Sequence, residues 1–196
     1  MKKSFFKFFI LYSSFFILLS ACGRKEAPAP APLPVPPINN FTLQNLLSEF
    51  PGEIRTAEYA GKVQLVLFFR TDDPACRGSI PDWNGLQNDF MERGFVLVGA
   101  VVDSRPADVI AAEAAALGAV FPVGLALDNV VAAFGGPATI RAVPTAFLLS
   151  RDGARLRTYA GYEPLERLRA DIGAALDGRK LPGAKPKNVA PEDNAP

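Results

Sequence analysis

The sequence predicts an α/β domain with a mixed central β-sheet that is covered by helices on both faces. Short apolar runs rich in valine and phenylalanine alternate with segments of helical spacing, which indicates parallel strands joined by helical crossovers. A turn signal, Ser-Arg-Asp-Gly at 150–153, separates two later strand-like segments and adds an antiparallel hairpin. Parallel and antiparallel pairing together give a mixed sheet. The chain has 196 residues, and the predicted domain spans 40–179.

The predicted elements follow from local composition. The two most apolar runs have the length of central strands, and the first two helical segments end at glycines, which suit helix C-termini. The last helix carries leucine and isoleucine along one face. In chain order the predictions are a strand at 63–69, a helix at 74–93, a strand at 95–102, helices at 105–117 and 129–134, strands at 145–149 and 154–159, and a helix at 163–176.

The first 21 residues have the pattern of an export signal. Three lysines lie within the first seven residues, residues 10–19 are apolar, and small residues follow. The tetrapeptide Leu-Ser-Ala-Cys at 19–22 resembles the lipobox of bacterial lipoproteins, which implies that Cys22 is lipidated and anchors the chain to a membrane. Gly23 follows the cysteine, and in Gram-negative lipoproteins this favours the outer membrane. The alternative is an ordinary signal peptide with an incidental cysteine.

Two low-complexity segments flank the predicted domain. Residues 22–39 hold the predicted lipidated cysteine and a proline- and alanine-rich tract, which is typical of an extended polyproline II spacer. Residues 180–196 are rich in proline, lysine and asparagine without apolar periodicity, so we expect a disordered tail. The domain would therefore be held away from the surface of a bacterial cell envelope.

Charge argues against a nucleic-acid partner. The whole chain has 21 basic and 20 acidic residues and no histidine. Removal of the signal takes away three lysines and no acid, so the mature chain is slightly acidic, at about −2. Without a basic cluster it lacks the electrostatic footprint of a nucleic-acid-binding protein.

The tetrapeptide Asp73-Pro74-Ala75-Cys76 stands where a strand meets a helix, which is the position of a C-x-x-C redox motif. Only its second cysteine is present. If Cys22 carries lipid, Cys76 is the only thiol left, and any disulfide must form with another molecule. We predict no metal site, because histidine is absent and Asp72, Asp73 and Cys76 do not form a convincing ligand set. No cofactor is predicted.

The order of these segments resembles the thioredoxin fold, and more narrowly the TlpA/ResA-like thiol-disulfide oxidoreductases of redoxin type. The resemblance runs from 41 to about 176. Its matching segments are Phe-Thr-Leu at 41–43, Gly-Lys-Val at 61–63, Cys-Arg-Gly-Ser-Ile-Pro at 76–81, Val-Val-Asp at 101–103, Phe-Pro-Val at 121–123, Val-Pro-Thr-Ala-Phe-Leu at 143–148 and Asp-Gly at 152–153.

The resemblance places Asp73 at the position of the attacking cysteine and Asp72 where an aromatic residue is usual. A carboxylate cannot perform thiol exchange, so the ordinary dithiol cycle is excluded. Aspartate is a preferred helix N-cap and proline suits the next position, so we favour a capping role for Asp73 over acid-base catalysis. Two interpretations of Cys76 remain open. A position at the helix start lowers a thiol's pKa, which favours a reactive thiol. The nearby carboxylate opposes that shift, and the family's second cysteine lies recessed beneath the first, so both favour an inert thiol.

The segment Val143-Pro144-Thr145 matches the cis-proline loop of the family, which implies a cis Pro144 and a backbone that pairs with an extended substrate. Three functions remain open. The leading one is thiol redox chemistry through Cys76 alone, on extracytoplasmic protein thiols or disulfides, with an external thiol. The second is a redox-inactive module that binds unfolded polypeptide at this loop. The third is a peroxiredoxin-like peroxidase, for which Arg141 is close to the position of the catalytic arginine but not aligned with it.

Overall fold

A computed structural model describes residue 38 and residues 40–47 and 52–183. The predicted signal peptide, the lipidation site Cys22, nearly all of the predicted tether and the tail beyond residue 183 lie outside these residues. The described part includes the strand-to-helix turn at Asp73 and the loop at Pro144, so both predicted site segments can be placed.

Seven strands form one mixed sheet in the spatial order β2-β1-β5-β4-β3-β6-β7. The central strands β3 and β4 run parallel, with Phe69 opposite Val101 at their ends, and β6 joins the other side of β3 in the antiparallel sense. The strands are β1 (Thr42–Asn45), β2 (Glu53–Arg55), β3 (Val63–Phe69), β4 (Phe95–Val101), β5 (Val123–Leu125), β6 (Thr145–Leu149) and β7 (Arg155–Ala160).

Four helices lie on the two faces of this sheet, as the sequence predicts. They are α1 (Pro74–Phe90), α2 (Ala107–Ala116), α3 (Asp128–Ala133) and α4 (Leu165–Leu176). Alternate residues of β3 and β4 enter two separate apolar clusters, because successive strand side chains point to opposite faces. Buried residues of α1, α2 and α4 belong to one cluster, and Val130 of α3 belongs to the other.

Strands β3 and β4 are buried along their whole length. This explains why both read as continuous apolar runs rather than alternating ones. Aromatic packing connects the core to the predicted site: Phe69, at the end of β3, packs edge-on against Trp83 of α1 with ring centroids 5.9 Å apart. This contact packs α1 against the end of β3, beside the predicted site at Asp73.

Three short strands were not predicted from the sequence. β1, β2 and β5 have only three or four residues each and extend the sheet on the β4 side. Gly124 of β5 shows how closely they pack, because a Cβ there would come within 2.6 Å of the Leu43 Cβ on β1. Of the helices in the described part of the chain, none has the length and apolarity needed to cross a membrane.

Candidate active site at the start of helix α1

Asp73 caps helix α1. Its backbone is extended (φ −77°, ψ 123°), and its Oδ1 accepts a hydrogen bond of 2.8 Å from the backbone N–H of Cys76. Pro74 occupies the first helical position, where its missing N–H costs nothing. The predicted capping role is therefore confirmed, and the carboxylate that replaces the attacking sulfur stabilises the helix start instead.

We expect Asp73→Ala to lower the free energy of unfolding by about 1 kcal/mol, because one helix N–H loses its acceptor. Asp73→Asn is the matched control, since asparagine caps helices about as well as aspartate. Urea unfolding of the two variants measures the difference. Equal stability of the alanine and asparagine variants would show that the cap contributes nothing.

The Cys76 side chain is buried, with 0 % of its surface exposed. Burial raises the pKa of this thiol from 9.0 to about 12, the backbone of Arg70 opposes the shift with a hydrogen bond, and a hydrogen bond and the negative charge of Asp73 raise the pKa further. The free cysteine thus lies in the apolar cluster beneath the helix start as a neutral thiol. This geometry corresponds to the inert alternative, since only the thiolate is nucleophilic.

An ion cluster surrounds the turn that leads into α1. Arg105 donates to both carboxylate oxygens of Glu113, at 2.9 and 2.8 Å, and to Asp103 at 2.6 Å. The Thr71 hydroxyl donates to Glu113 at 2.6 Å. These hydrogen bonds from Arg105 hold the pKa values of Glu113 and Asp103 below their usual range, so both acids are ionised at neutral pH.

Asp72, at the family's aromatic position, belongs to the same cluster. Arg70 donates to its two oxygens at 2.9 and 2.8 Å, which lowers the pKa of Asp72, and Arg105 lies 3.8 Å away. At this position, where the resemblance implies an aromatic residue, the structure thus has paired charges. Arg70 and Arg77 do not offset the acid beside Cys76: Arg70 pairs with Asp72, and Arg77 is exposed and donates to the Thr71 carbonyl at 3.4 Å.

Sequence reasoning missed this cluster, although it singled out Asp72 and Asp103 separately. The available signal was topological. β3 and β4 are parallel and in register, so Asp72 and Asp103 follow paired strand ends and must lie at the same edge of the sheet. The contributions of Arg105 and Glu113 required the position of helix α2, which the sequence pattern does not supply.

The Val143–Pro144 peptide bond is cis, as predicted. Pro144 is buried, and its carbonyl accepts from the Gly161 N–H at 2.8 Å, while the Thr145 hydroxyl donates to the Ala142 carbonyl at 2.6 Å. Val143 differs from its neighbours: it is half-buried, and its backbone N–H and C=O have no hydrogen-bond partner among the residues that the structure describes. It therefore presents a free donor and a free acceptor.

Two cavities adjoin this loop. Val143 lines an open pocket of about 350 Å³ together with Arg70 and Arg141. Pro144 lines a second cavity of about 20 Å³ together with Trp83 and with Tyr162, which is 58 % exposed. Val143 and Pro144 therefore each line a different cavity.

The structure places the predicted site residues in two segments, Asp73 and Cys76 at the start of α1, and Val143, Pro144 and Thr145 at the start of β6. The segments adjoin because β3, which leads to α1, pairs with β6 through Phe68 and Thr145. In the described range no three His, Cys, Asp or Glu side chains are arranged so as to hold a metal ion. Cys22, the predicted lipidation site, stays a prediction because it lies outside that range.

Comparison with known proteins agrees with this architecture. The Redoxin family model matches residues 34–176. A thiol:disulfide interchange protein of the thioredoxin family from Chlorobium tepidum is 27 % identical, with a TM-score of 0.62 over 73 % of this chain and 97 % of its own. A putative DsbE from the same organism is 26 % identical (TM-score 0.59, 73 % and 95 % covered).

A putative thioredoxin from Neisseria meningitidis is 25 % identical, with a TM-score of 0.60 over 74 % of this chain and 92 % of its own. No curated protein sequence matches the chain. The seven-stranded mixed sheet, the helix that starts at the degenerate motif and the cis-proline loop are the features of a thioredoxin-like protein. With a family model covering most of its length, the chain belongs to the redoxin family of the thioredoxin superfamily.

Proposed function

We propose that this protein is an extracytoplasmic, lipid-anchored module that binds extended polypeptide segments at Val143 and performs no thiol exchange in its folded state. One observation carries the proposal. The thiol at the site is 0 % exposed and has a raised pKa, of about 12, whereas the backbone groups of the half-buried Val143 at the neighbouring loop have no partner in the described part of the chain.

Thiol exchange needs a thiolate that reaches the partner's disulfide, attacks one sulfur and expels the other as a thiolate. Asp73 cannot supply that nucleophile. Cys76 meets neither requirement in the folded state, because its sulfur is covered and the nearby carboxylates of Asp73 and Asp72 both raise its pKa. At neutral pH the thiol therefore stays almost entirely protonated, because burial raises its pKa to about 12.

Polypeptide binding needs only the features that remain. A free N–H and C=O on one residue can form two hydrogen bonds with an extended segment, in the manner of an added strand. Val143 offers both groups, and the adjoining pocket of about 350 Å³ can receive a side chain of the bound segment. The export signal pattern and the lipobox-like segment ending at Cys22 support a location on the cell envelope, where such segments belong to extracytoplasmic proteins.

Redox chemistry through Cys76 alone is the second candidate, and family membership favours it. It requires a transient opening at the start of α1, a mixed disulfide with Cys76 and an external thiol that releases the product. A peroxidase is less well supported. Its cysteine must be a thiolate, whereas Cys76 is a neutral thiol. The Arg141 Nε donates to the Ala138 carbonyl at 2.7 Å, and the Arg141 side chain lines the pocket with Arg70.

Hydrogen exchange with a thiol-free partner tests the binding proposal. Reduced and carboxymethylated α-lactalbumin, which is unfolded and has no free thiol, is added to the full-length chain. We expect the backbone amide of Val143 to exchange quickly in the free protein and about tenfold more slowly in the complex, because an unpaired N–H becomes hydrogen-bonded. Cys76→Ala should give the same protection.

Val143→Pro provides the matched variant, since it removes the N–H and leaves the rest of the pocket in place. We expect this variant to lose binding, whereas Val143→Ala, which keeps the N–H, should retain most of it. Unchanged exchange at Val143 with the unfolded partner would contradict the proposal. Binding that requires both Cys76 and a partner with free thiols would favour the single-cysteine redox function.

A further inference from the structure

The pocket beside Val143 combines an apolar lining with positive charge. Val102, Val131 and Ile140 contribute apolar surface, and Arg70 and Arg141 are the charged residues that line it. A volume of about 350 Å³ lies within the range of ligand-binding pockets in proteins. No acidic side chain lines the pocket. Its composition therefore suits a ligand with an apolar part and an anionic group.

The two arginines differ in how their charge is compensated. Arg70 forms a two-point ion pair with Asp72 and lies 4.0 Å from Asp103. The exposed Arg141 donates from Nε to the Ala138 carbonyl at 2.7 Å, and within the described part of the chain its two terminal nitrogens have neither a hydrogen-bond partner nor a carboxylate within 4.0 Å. Arg141 is thus the group free to receive an anion.

Arg141 is also placed correctly for a segment paired with Val143. Arg141 and Val143 line the same pocket, so a segment paired with Val143 passes close to the free guanidinium. A side chain opposite Val143 would lie at the pocket, and a nearby side chain of the partner would approach the free guanidinium. A carboxylate there can accept two hydrogen bonds from the terminal nitrogens.

We propose that the polypeptide segments bound at Val143 carry an acidic residue close to an apolar one, and that Arg141 selects them by pairing with the carboxylate. This inference rests on the proposed function, because pairing at Val143 brings the segment to the pocket. It assigns Arg141 as the residue that determines specificity and places the apolar side chain of the segment among Val102, Val131 and Ile140.

Fluorescence anisotropy with short extended peptides tests the assignment on the full-length chain. Three peptides differ at one position, two residues after a valine, which is glutamate, glutamine or lysine. We expect the glutamate peptide to bind about tenfold more tightly than the glutamine peptide, as a charge-assisted hydrogen bond to an accessible arginine allows. High salt should reduce this preference.

Charge reversal separates the role of Arg141 from general damage to the pocket. Arg141→Ala should remove the preference for glutamate, so that the glutamate and glutamine peptides bind equally well, and Arg141→Glu should transfer the preference to the lysine peptide. Arg55→Ala is the control, because that exposed guanidinium is already paired with Glu53 on strand β2, and it should keep the wild-type preference.

The outcomes distinguish this inference from the proposed function. Equal binding of all three peptides, or a glutamate preference that survives Arg141→Ala, overturns the inference and leaves polypeptide binding in place. Binding of none of the peptides overturns both. Arginine-dependent binding of a small amphipathic carboxylate such as decanoate, with no peptide bound, also overturns the inference and identifies the pocket as a lipid-type site.

Discussion

Replacing Asp73 with cysteine is expected to create a functional dithiol in a chain that has none. Asp73 is the N-cap of α1 and Cys76 lies one turn further, so two cysteines there have the spacing and backbone geometry of a family redox pair. The new thiol would be only half-buried and would lie at the helix N-terminus, which lowers a thiol's pKa. Its sulfur can attack a disulfide, and Cys76 can then resolve the mixed disulfide.

Insulin reduction by dithiothreitol measures the gain. We expect Asp73→Cys to raise the rate more than about a hundredfold above the parent chain, as restoring a missing nucleophile allows. Asp73→Ser keeps the cap without a sulfur and should stay inactive. Asp73→Cys combined with Cys76→Ala keeps the nucleophile without the resolving thiol and, mixed with insulin in the absence of dithiothreitol, should accumulate the mixed disulfide.

The informative failure is an Asp73→Cys variant that folds, forms a disulfide between the introduced cysteine and Cys76, and still does not reduce insulin. In that case the loss of activity extends beyond the first sulfur. The ion pair of Asp72 with Arg70 is then the next difference to test, since the resemblance implies an aromatic residue at position 72. Asp72→Trp in the Asp73→Cys background would test this explanation.

Much of the fold could be predicted because the buried strands carry strong patterns. β3 and β4 are covered on both faces, and their uninterrupted apolar runs identify them at once. The short strands β1, β2 and β5 were missed because three or four residues carry no measurable periodicity, and their pairing depends on contacts such as the one between Gly124 and Leu43.

The candidate site was predictable where it depends on neighbouring residues. The Asp73 cap and its bond to the Cys76 N–H follow from helix-start chemistry within four residues. The burial of Cys76 was left open by the sequence, because it depends on how α1 packs on the sheet. Within the described residues, the unpaired backbone of Val143 and the unpaired terminal nitrogens of Arg141 also depend on tertiary structure, since sequence shows neither which groups are paired nor which lie beside a pocket.

Cys76 should resist alkylation in the folded protein by a wide margin. The thiol pKa rises from 9.0 to about 12 on folding, so the thiolate fraction at neutral pH falls by about three orders of magnitude. Burial of the sulfur slows the reaction further, because the reagent reaches it only after a local opening. The measurement is the iodoacetamide labelling rate of the Cys76 peptide, by mass spectrometry, in native buffer and in urea, across a pH series.

The expected pH profile follows from the direction of the shift. Folding favours the neutral thiol, so this contribution to stability is complete below pH 9 and is lost as pH rises through about 12. Native labelling should therefore stay slow through pH 9, while labelling in urea should rise steeply towards that pH. Asp73→Asn removes a charge that raises the Cys76 pKa and should speed native labelling, whereas the distant Asp177→Asn should not. Rapid labelling of the native chain below neutral pH would overturn the proposed non-redox function and favour Cys76 as a reactive thiol.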